Sequence, residues 1–175
     1  MSCALTTGFT LDCRNSNGGI EAVYFTEIAN KATLTSASGL ISALTLSTGK
    51  QFFKYELRKK TSVFEQNIQV NNENGTVFYE QTLSVKLDKL EINKRNEILL
   101  LAQNNLMVII KDNNGVYWLM GETRGALLNG GKGSTGTAYG DMSGFELTFM
   151  GEEPELAKQI NTTSVTIDTL TTPAV

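Results

Sequence analysis

The segment that comes nearest to a known chemical motif is a glycine-rich stretch containing one lysine. It reads Gly130-Gly131-Lys132-Gly133-Ser134-Thr135, the composition of a loop that holds phosphate. The phosphate-loop pattern fails, because Ala126 stands at its first glycine and Gly133 separates Lys132 from Ser134. No helix pattern follows to supply an N-terminal dipole. The sequence therefore predicts a flexible or interface loop here, not a nucleotide site.

The other residues that could do chemistry are few. The sequence has no His, which is the commonest general acid or base and the commonest metal ligand. Glu152-Glu153-Pro154-Glu155 is typical of a solvated helix start, and no segment has the spacing of a zinc or calcium site. Arg58-Lys59-Lys60 indicates a solvated turn, because no aromatic residues interleave it as in a nucleic-acid patch. We expect no catalytic site, no metal and no cofactor, and a protein that is not an enzyme.

Composition predicts one folded domain. The chain has 175 residues, 41% of them hydrophobic and 19% charged, with a net charge of −3. That charge excludes a general polyanion-binding surface. The N-terminus lacks the basic and apolar regions of a secretory signal, and no apolar run reaches the roughly 20 residues that span a bilayer, so we expect no membrane insertion. Cys3 and Cys13 would pair in an oxidising compartment, whereas in an intracellular product we expect reduced, partly buried thiols.

The elements that must position any site are mostly strands, and the longest two are predicted to form a hairpin over Thr61–Leu87. Its turn is Asn71-Asn72-Glu73-Asn74-Gly75, whose Asn-Gly pair tolerates the positive φ of a hairpin turn. Strands usually run about 5 to 6 residues, and these arms approach roughly ten. An overlong arm offers open backbone groups and an apolar stripe to a neighbouring subunit.

The stripe on the first arm is Phe64, Gln66, Ile68 and Val70, and on the second arm Val77, Tyr79, Gln81, Leu83, Val85 and Leu87. We take as candidate subunit-interface residues Phe64, Ile68, Val70, Val77, Tyr79, Leu83, Gly130, Gly131 and Gly133.

The remaining pattern predicts further strands and one helix. Strands are expected at Ile20–Ile28, Ala32–Thr35, Leu40–Leu46, Gln51–Leu57, Leu106–Lys111, Val116–Gly121 and Phe145–Met150. The helix is expected to begin at an Asp88 N-cap, with Glu91 completing a capping box, and to end near Asn104. Leu90, Ile98 and Leu101 would pack on the sheet. The predicted fold class is mainly β with one helix, a β-sandwich or partial barrel with a long hairpin.

Two segments carry a family resemblance. Leu5-Thr6-Thr7-Gly8-Phe9-Thr10-Leu11-Asp12-Cys13 and the stretch Ser134–Gly151 (STGTAYGDMSGFELTFMG) resemble virion structural proteins of tailed phages, particularly the crAss-like group that infects Bacteroidetes. The order of elements is similar to the tail-tube fold. The resemblance divides the chain into a tail-tube-like β domain over residues 1–155 and a Thr-rich extension over residues 156–175.

The resemblance implies a non-enzymatic ring or tube in the phage tail or at the portal–tail junction. Such rings are homo-oligomers, with six-fold symmetry or a multiple of it, that contact neighbouring tail or portal-complex proteins and let DNA pass without specific binding. The protein would then be located in the virion, after assembly in the host cytoplasm. The Gly130–Gly140 stretch would serve ring stacking, and the basic residues would lie at subunit junctions or outside. The alternatives are an adaptor, connector or terminator ring and, from another class, a β-sandwich carbohydrate-binding module.

Overall fold

The computed structural model describes Gly8 and residues 16–172, which form mainly β structure in two sheets. Both cysteines and the rest of the Leu5–Cys13 segment lie outside the described residues. The arrangement is sandwich-like, because side chains from both sheets share one hydrophobic core. The coarse prediction of a mainly β, sandwich-like fold is therefore confirmed.

Twelve strands and two α-helices lie within the described residues. The strands are β1 Ile20–Glu27, β2 Lys31–Ala37, β3 Leu40–Leu46, β4 Phe52–Glu56, β5 Val63–Asn71, β6 Thr76–Asp88, β7 Leu106–Asp112, β8 Tyr117–Met120, β9 Leu127–Ser134, β10 Gly144–Glu153, β11 Lys158–Ile160 and β12 Thr171–Thr172. The helices are α1 Ile92–Gln103 and α2 Ile167–Leu170. The large sheet has the order β12-β4-β1-β7-β8-β11-β3-β2, and the small sheet has the order β5-β6-β10-β9.

Strand β7 shows why one segment of the chain is apolar at every position. Val108 and Ile110 face the core shared with the small sheet, where Phe149 packs 4.9 Å from Phe25 between ring centroids. Met107 and Ile109 face a second core on the other side of the large sheet. A strand buried on both faces has no polar alternation.

The long hairpin is confirmed as β5 and β6. The two strands pair without a bulge from Val63 opposite Ser84 to Asn71 opposite Thr76. β6 has 13 residues, more than twice the usual strand length. Ten of its residues, from Tyr79 to Asp88, also pair with β10, so the base of the hairpin forms the middle of the small sheet.

Two sequence predictions are wrong in this region and at the C-terminal end. Residues 130–134 form no loop, because they belong to β9 and pair with β10. Residues 156–172 do not stand apart from the fold, because β11 pairs with β3 and β8 while β12 pairs with β4. The side chains of Val165 and Ile167 are buried in the second core, which ties this segment to the large sheet.

The predicted helix exists, but its start was placed too early. Asp88 is the last residue of β6 and forms an ion pair with Arg58, so it cannot cap the helix. α1 begins at Ile92, after Glu91, and no side-chain hydrogen bond caps it. Leu101 is buried as predicted and Ile98 packs against the same core, whereas Leu90 is exposed.

Replacement of Leu101 by Ala is expected to lower the free energy of unfolding by about 2 to 3 kcal/mol. Its side chain is only 6% exposed, but it borders an open groove that lets the site relax. Leu100→Ala is the matched control, since the neighbouring side chain is 53% exposed and should change stability by under about 0.5 kcal/mol. Chemical denaturation of both variants measures the difference, and equal effects would contradict the packing of this helix face.

Candidate functional site

The small sheet has one apolar face and one mostly polar face. Residues paired directly across antiparallel strands point to the same side, and Leu83, Phe149 and Leu147 lie on the side that packs against the large sheet. The opposite side, here called the outer face, carries Val63, Glu65, Asn67, Glu80, Thr82, Ser84, Lys86, Leu127, Gly130, Lys132, Glu146, Thr148, Met150 and Glu152. This face packs against no other described strand.

The outer face is mildly acidic. The residues just named include four glutamates and two lysines, a difference of two negative charges. Asp88 at the end of β6 lies on the same side and pairs with Arg58. Both lysines are engaged by Glu146. The Nζ atom of Lys132 lies 2.7 Å from one carboxylate oxygen of Glu146, and Lys86 pairs with the other oxygen. The remaining glutamates of this face have no ion-pair partner among the described residues.

These lysines hold the pKa of Glu146 at about 2, well below its ordinary value, chiefly through the hydrogen bond from Lys132 and then the one from Lys86. A lowered pKa makes the charged form favourable in the folded chain. Its stabilising effect is therefore complete above about pH 4.5 and is lost as the pH falls toward 2. We expect an NMR titration of Glu146 to give a midpoint near 2, and Lys132→Met to raise it. A midpoint unchanged by Lys132→Met would contradict the assigned cause.

Both edges of the small sheet are open within the described part of the chain. Among the described strands β5 pairs only with β6 and β9 only with β10, although Ala126, directly before β9, bridges Leu106 of β7. Beyond that bridge each edge presents an outer row of backbone N–H and C=O groups. All three pairings in this sheet are antiparallel. Four strands of alternating direction leave β5 and β9 pointing in opposite directions. The β9 edge of one copy therefore matches the β5 edge of another in antiparallel orientation.

The three glycines proposed as interface residues differ in what surrounds them. A Cβ on Gly131 would lie 2.8 Å from Leu147 Cδ2 and 2.9 Å from the Glu146 carbonyl oxygen, so packing within the chain explains this glycine. A Cβ on Gly133 would lie 3.0 Å from the Phe145 ring, which explains that one too. A Cβ on Gly130 would meet nothing within 4 Å. Gly130 lies beside the irregularity where the β9–β10 register shifts between Thr148 and Phe149. A strand glycine marks either such a bulge or close approach by another backbone, so Gly130 stays a candidate interface residue.

The hairpin projects beyond the body at its turn end. Residues 67–78, here called the hairpin tip, are all exposed. Within the tip Ile68, Val70 and Val77 share one side and are 58%, 59% and 52% exposed. The candidate set of interface residues needs one correction, because Leu83 is fully buried in the core of its own chain. Phe64 and Tyr79 are half-buried at the point where the tip leaves the body.

Two glutamines hold the hairpin where the tip begins. Gln66 and Gln81 are opposite each other in the β5–β6 register. Gln66 accepts a hydrogen bond from the Ala157 backbone N–H (2.7 Å), and buried Gln81 accepts one from the Gly121 N–H (3.2 Å). In the sequence both lie on the apolar stripe, where their alternation with the other residues of that stripe indicates no separate role. Two glutamines that interrupt an apolar stripe are the sequence feature that could have predicted these hydrogen bonds between the hairpin and the body.

Glu153 is a second buried polar residue that the sequence analysis misplaced. Glu152 and Glu153 end β10 and do not start a solvated helix. One Glu153 carboxylate oxygen accepts hydrogen bonds from the backbone N–H groups of Thr123 (3.0 Å) and Arg124 (2.8 Å). Because the carboxylate satisfies these donors, it fixes the loop before β9 and thereby the position of the β9 edge.

Other features give no sign of chemistry within the described residues. A groove of about 330 Å³ lies between α1 and strands β1 and β4, bordered by Phe53 and Leu100. Residues 16–172 contain no cluster of three or more side chains suited to bind a metal ion. None of the helices in this part of the chain is long and apolar enough to cross a bilayer.

Comparison of the chain with protein-family models, with curated proteins and with solved structures found no significant match.

Proposed function

We propose that this chain is a structural subunit that closes into a homo-oligomeric ring, with the β9 edge of each copy paired to the β5 edge of the next. The observation that carries the proposal is the small sheet with two open edges of matching direction. Such edges promote uncontrolled association unless they are covered, and ring closure covers all of them at once. Each junction should then bury more than about 1,000 Å², as specific interfaces do.

The outer face of the small sheet would line the central channel of this ring. The other face of that sheet packs against the large sheet, so closure with the large sheets on the outside turns the polar face to the lumen. Glu146 pairs with both lysines of that face, and the other three glutamates leave it two negative charges overall, which repel phosphate groups. A lumen of this kind would let DNA slide without the counterion release that makes binding tight.

Within this class we propose a virion protein of the tail-tube or tail-ring type from a tailed phage. The short segments that resemble crAss-like phage virion proteins support it, as do the long hairpin and the flanking helix. An adaptor, connector or terminator ring at the portal–tail junction has the same requirements of closed edges and a polar lumen. The distinction between a single ring and a stacked tube rests on whether copies also associate along the axis.

A carbohydrate-binding module remains the alternative from another class. It would need aromatic side chains arranged as one exposed platform and would be monomeric. The exposed aromatics of the described residues are Phe53 in β4, Phe78 in β6 and Tyr139 in the segment between β9 and β10. Since these three belong to different elements, no observation favours this class.

Measurement of the mass of the purified chain, followed by negative-stain imaging, tests the ring. We expect a closed oligomer whose mass is an integral multiple of 19.1 kDa, and ring-shaped particles with a central hole. A species that stays monomeric at high protein concentration and low salt would contradict the proposal. Sugar binding by that monomer would favour the binding module.

A further inference from the structure

We propose that the hairpin tip of one copy docks on a basic cluster at the opposite end of another copy, so that copies join head to tail along the ring axis. The basic cluster comprises Arg58, Lys59, Lys60, Lys89, Lys94 and Arg95. That this contact runs along the ring axis rests on the proposed function, in which the edges of the small sheets pair around the ring and thereby define its axis. The contact itself is argued from charge and exposed apolar surface.

The hairpin is acidic along its whole length. Residues 61–85 include Glu65, Glu73 and Glu80 and contain no Lys or Arg. Glu73 lies in the turn, where it is exposed and has no ion-pair partner among the described residues. Beside it, Ile68, Val70 and Val77 form an exposed apolar stripe on a two-stranded arm. An arm of two strands is marginally stable in water without a surface to pack on. A partner surface that is basic and partly apolar would stabilise the tip.

The basic cluster has the complementary properties. Arg58 pairs with Asp88, and Lys94 Nζ donates to the Asp88 carbonyl oxygen at 2.7 Å, which joins the β4–β5 turn to the start of α1. Residues 58–60 and 88–95 contain six cations and only two carboxylates, Asp88 and Glu91. Glu91 lies within ion-pair distance of Lys89 and Lys94. Apolar side chains lie among these charges, since Leu90 is exposed and Ile92 is 77% exposed. The cluster therefore offers both positive charge and apolar surface.

The tip and the cluster cannot meet within one chain. β6 runs from Thr76 at the tip to Asp88 at the cluster, so the two lie at opposite ends of a 13-residue strand. At about 3.4 Å per residue they are roughly 40 Å apart. The attraction must therefore be satisfied by another copy. Contacts between two different surfaces of identical copies repeat along an axis, which favours a stacked tube over a single ring.

A photo-crosslinking amino acid at position 73 identifies the docking surface directly. A mixture of isotopically light and heavy chains separates links between copies from links within one copy. We expect links between copies, at residues 58–60 or 88–95. Links confined to the same chain, or to any other surface of a second copy, would overturn the docking whether or not rings form. Links to the cluster in a preparation without rings would support the docking and contradict the ring.

Charge exchange tests the electrostatic basis. Glu73→Lys is expected to weaken axial association about tenfold while single rings keep their mass, and adding Lys59→Glu is expected to restore it. Glu27→Lys is the matched control, because Glu27 is exposed, lies at the end of β1 and undergoes the same charge change. Sedimentation at two salt concentrations gives the readout, and wild-type association should weaken with salt. Stacks that persist in Glu73→Lys, or a double variant that is not restored, would overturn the docking and leave the ring intact.

Discussion

Replacement of Gly130 by Leu is expected to leave the single chain folded and to break the ring. A side chain at this position has open space around it, so the melting temperature should stay the same or rise slightly with the loss of a flexible glycine. In the ring the same side chain would project from the outer face into the lumen, beside the side chains on the same face of the neighbouring copy's β5. Overpacking of that kind costs about 1 to 3 kcal/mol, which weakens each junction roughly 5- to 150-fold. Every junction of the closed ring carries this cost.

Two other glycines make the experiment specific. Gly18→Leu is the matched control, because a Cβ there also meets nothing within 4 Å and the residue lies outside the small sheet. It should assemble as the unmodified chain does. Gly131→Leu should lose both folding and assembly, since its Cβ would clash with Leu147 and with the Glu146 carbonyl oxygen. Light scattering and thermal melting of all three variants give the comparison. If the Gly130→Leu variant formed rings of unchanged mass and stability, the β9 edge would not be part of the subunit junction.

The sequence predicted best where a local pattern and the tertiary fold agree. The β5–β6 hairpin carries alternating side chains and an Asn-Gly turn, and β7 is apolar throughout because two cores cover it. Both signals are local, so a single chain is enough to detect them.

The failures occurred where a tertiary partner overrides local preference. β9 contains three glycines and resembles a loop, yet pairing with β10 holds it as a strand and two of those glycines fit against Leu147 and Phe145. Asp88 has the chemistry of a helix cap, but its ion pair with Arg58 and its place in β6 keep it in the sheet. Residues 156–172 were set apart because their threonines favour no compact element alone, whereas strands far away in the sequence supply their pairing.

The candidate site shows the same division. The exposed part of the hairpin was predictable from its length, since strands longer than the core must extend into solvent. The burial of Leu83 was not, because the point where the body ends depends on Gln66, Gln81 and the segments that they bind. The acidity of the outer face was also hidden, because it arises from the register that brings β5, β6 and β10 side by side.

Reversal of two outer-face charges is expected to turn a passive surface into a DNA-binding one. Glu65→Lys with Glu152→Lys adds four positive charges per copy on the face proposed to line the channel. Since each phosphate neutralised releases counterions, we expect affinity for duplex DNA at about 0.15 M salt to rise at least about 100-fold, with a steeper salt dependence. Glu27→Lys with Glu97→Lys adds the same charge near α1, outside the small sheet, and should raise affinity far less. Equal binding by the two double variants, or tight binding by the unmodified protein, would contradict a channel lined by this face, because only a shared lumen surrounds the DNA with several copies of the altered residues at once.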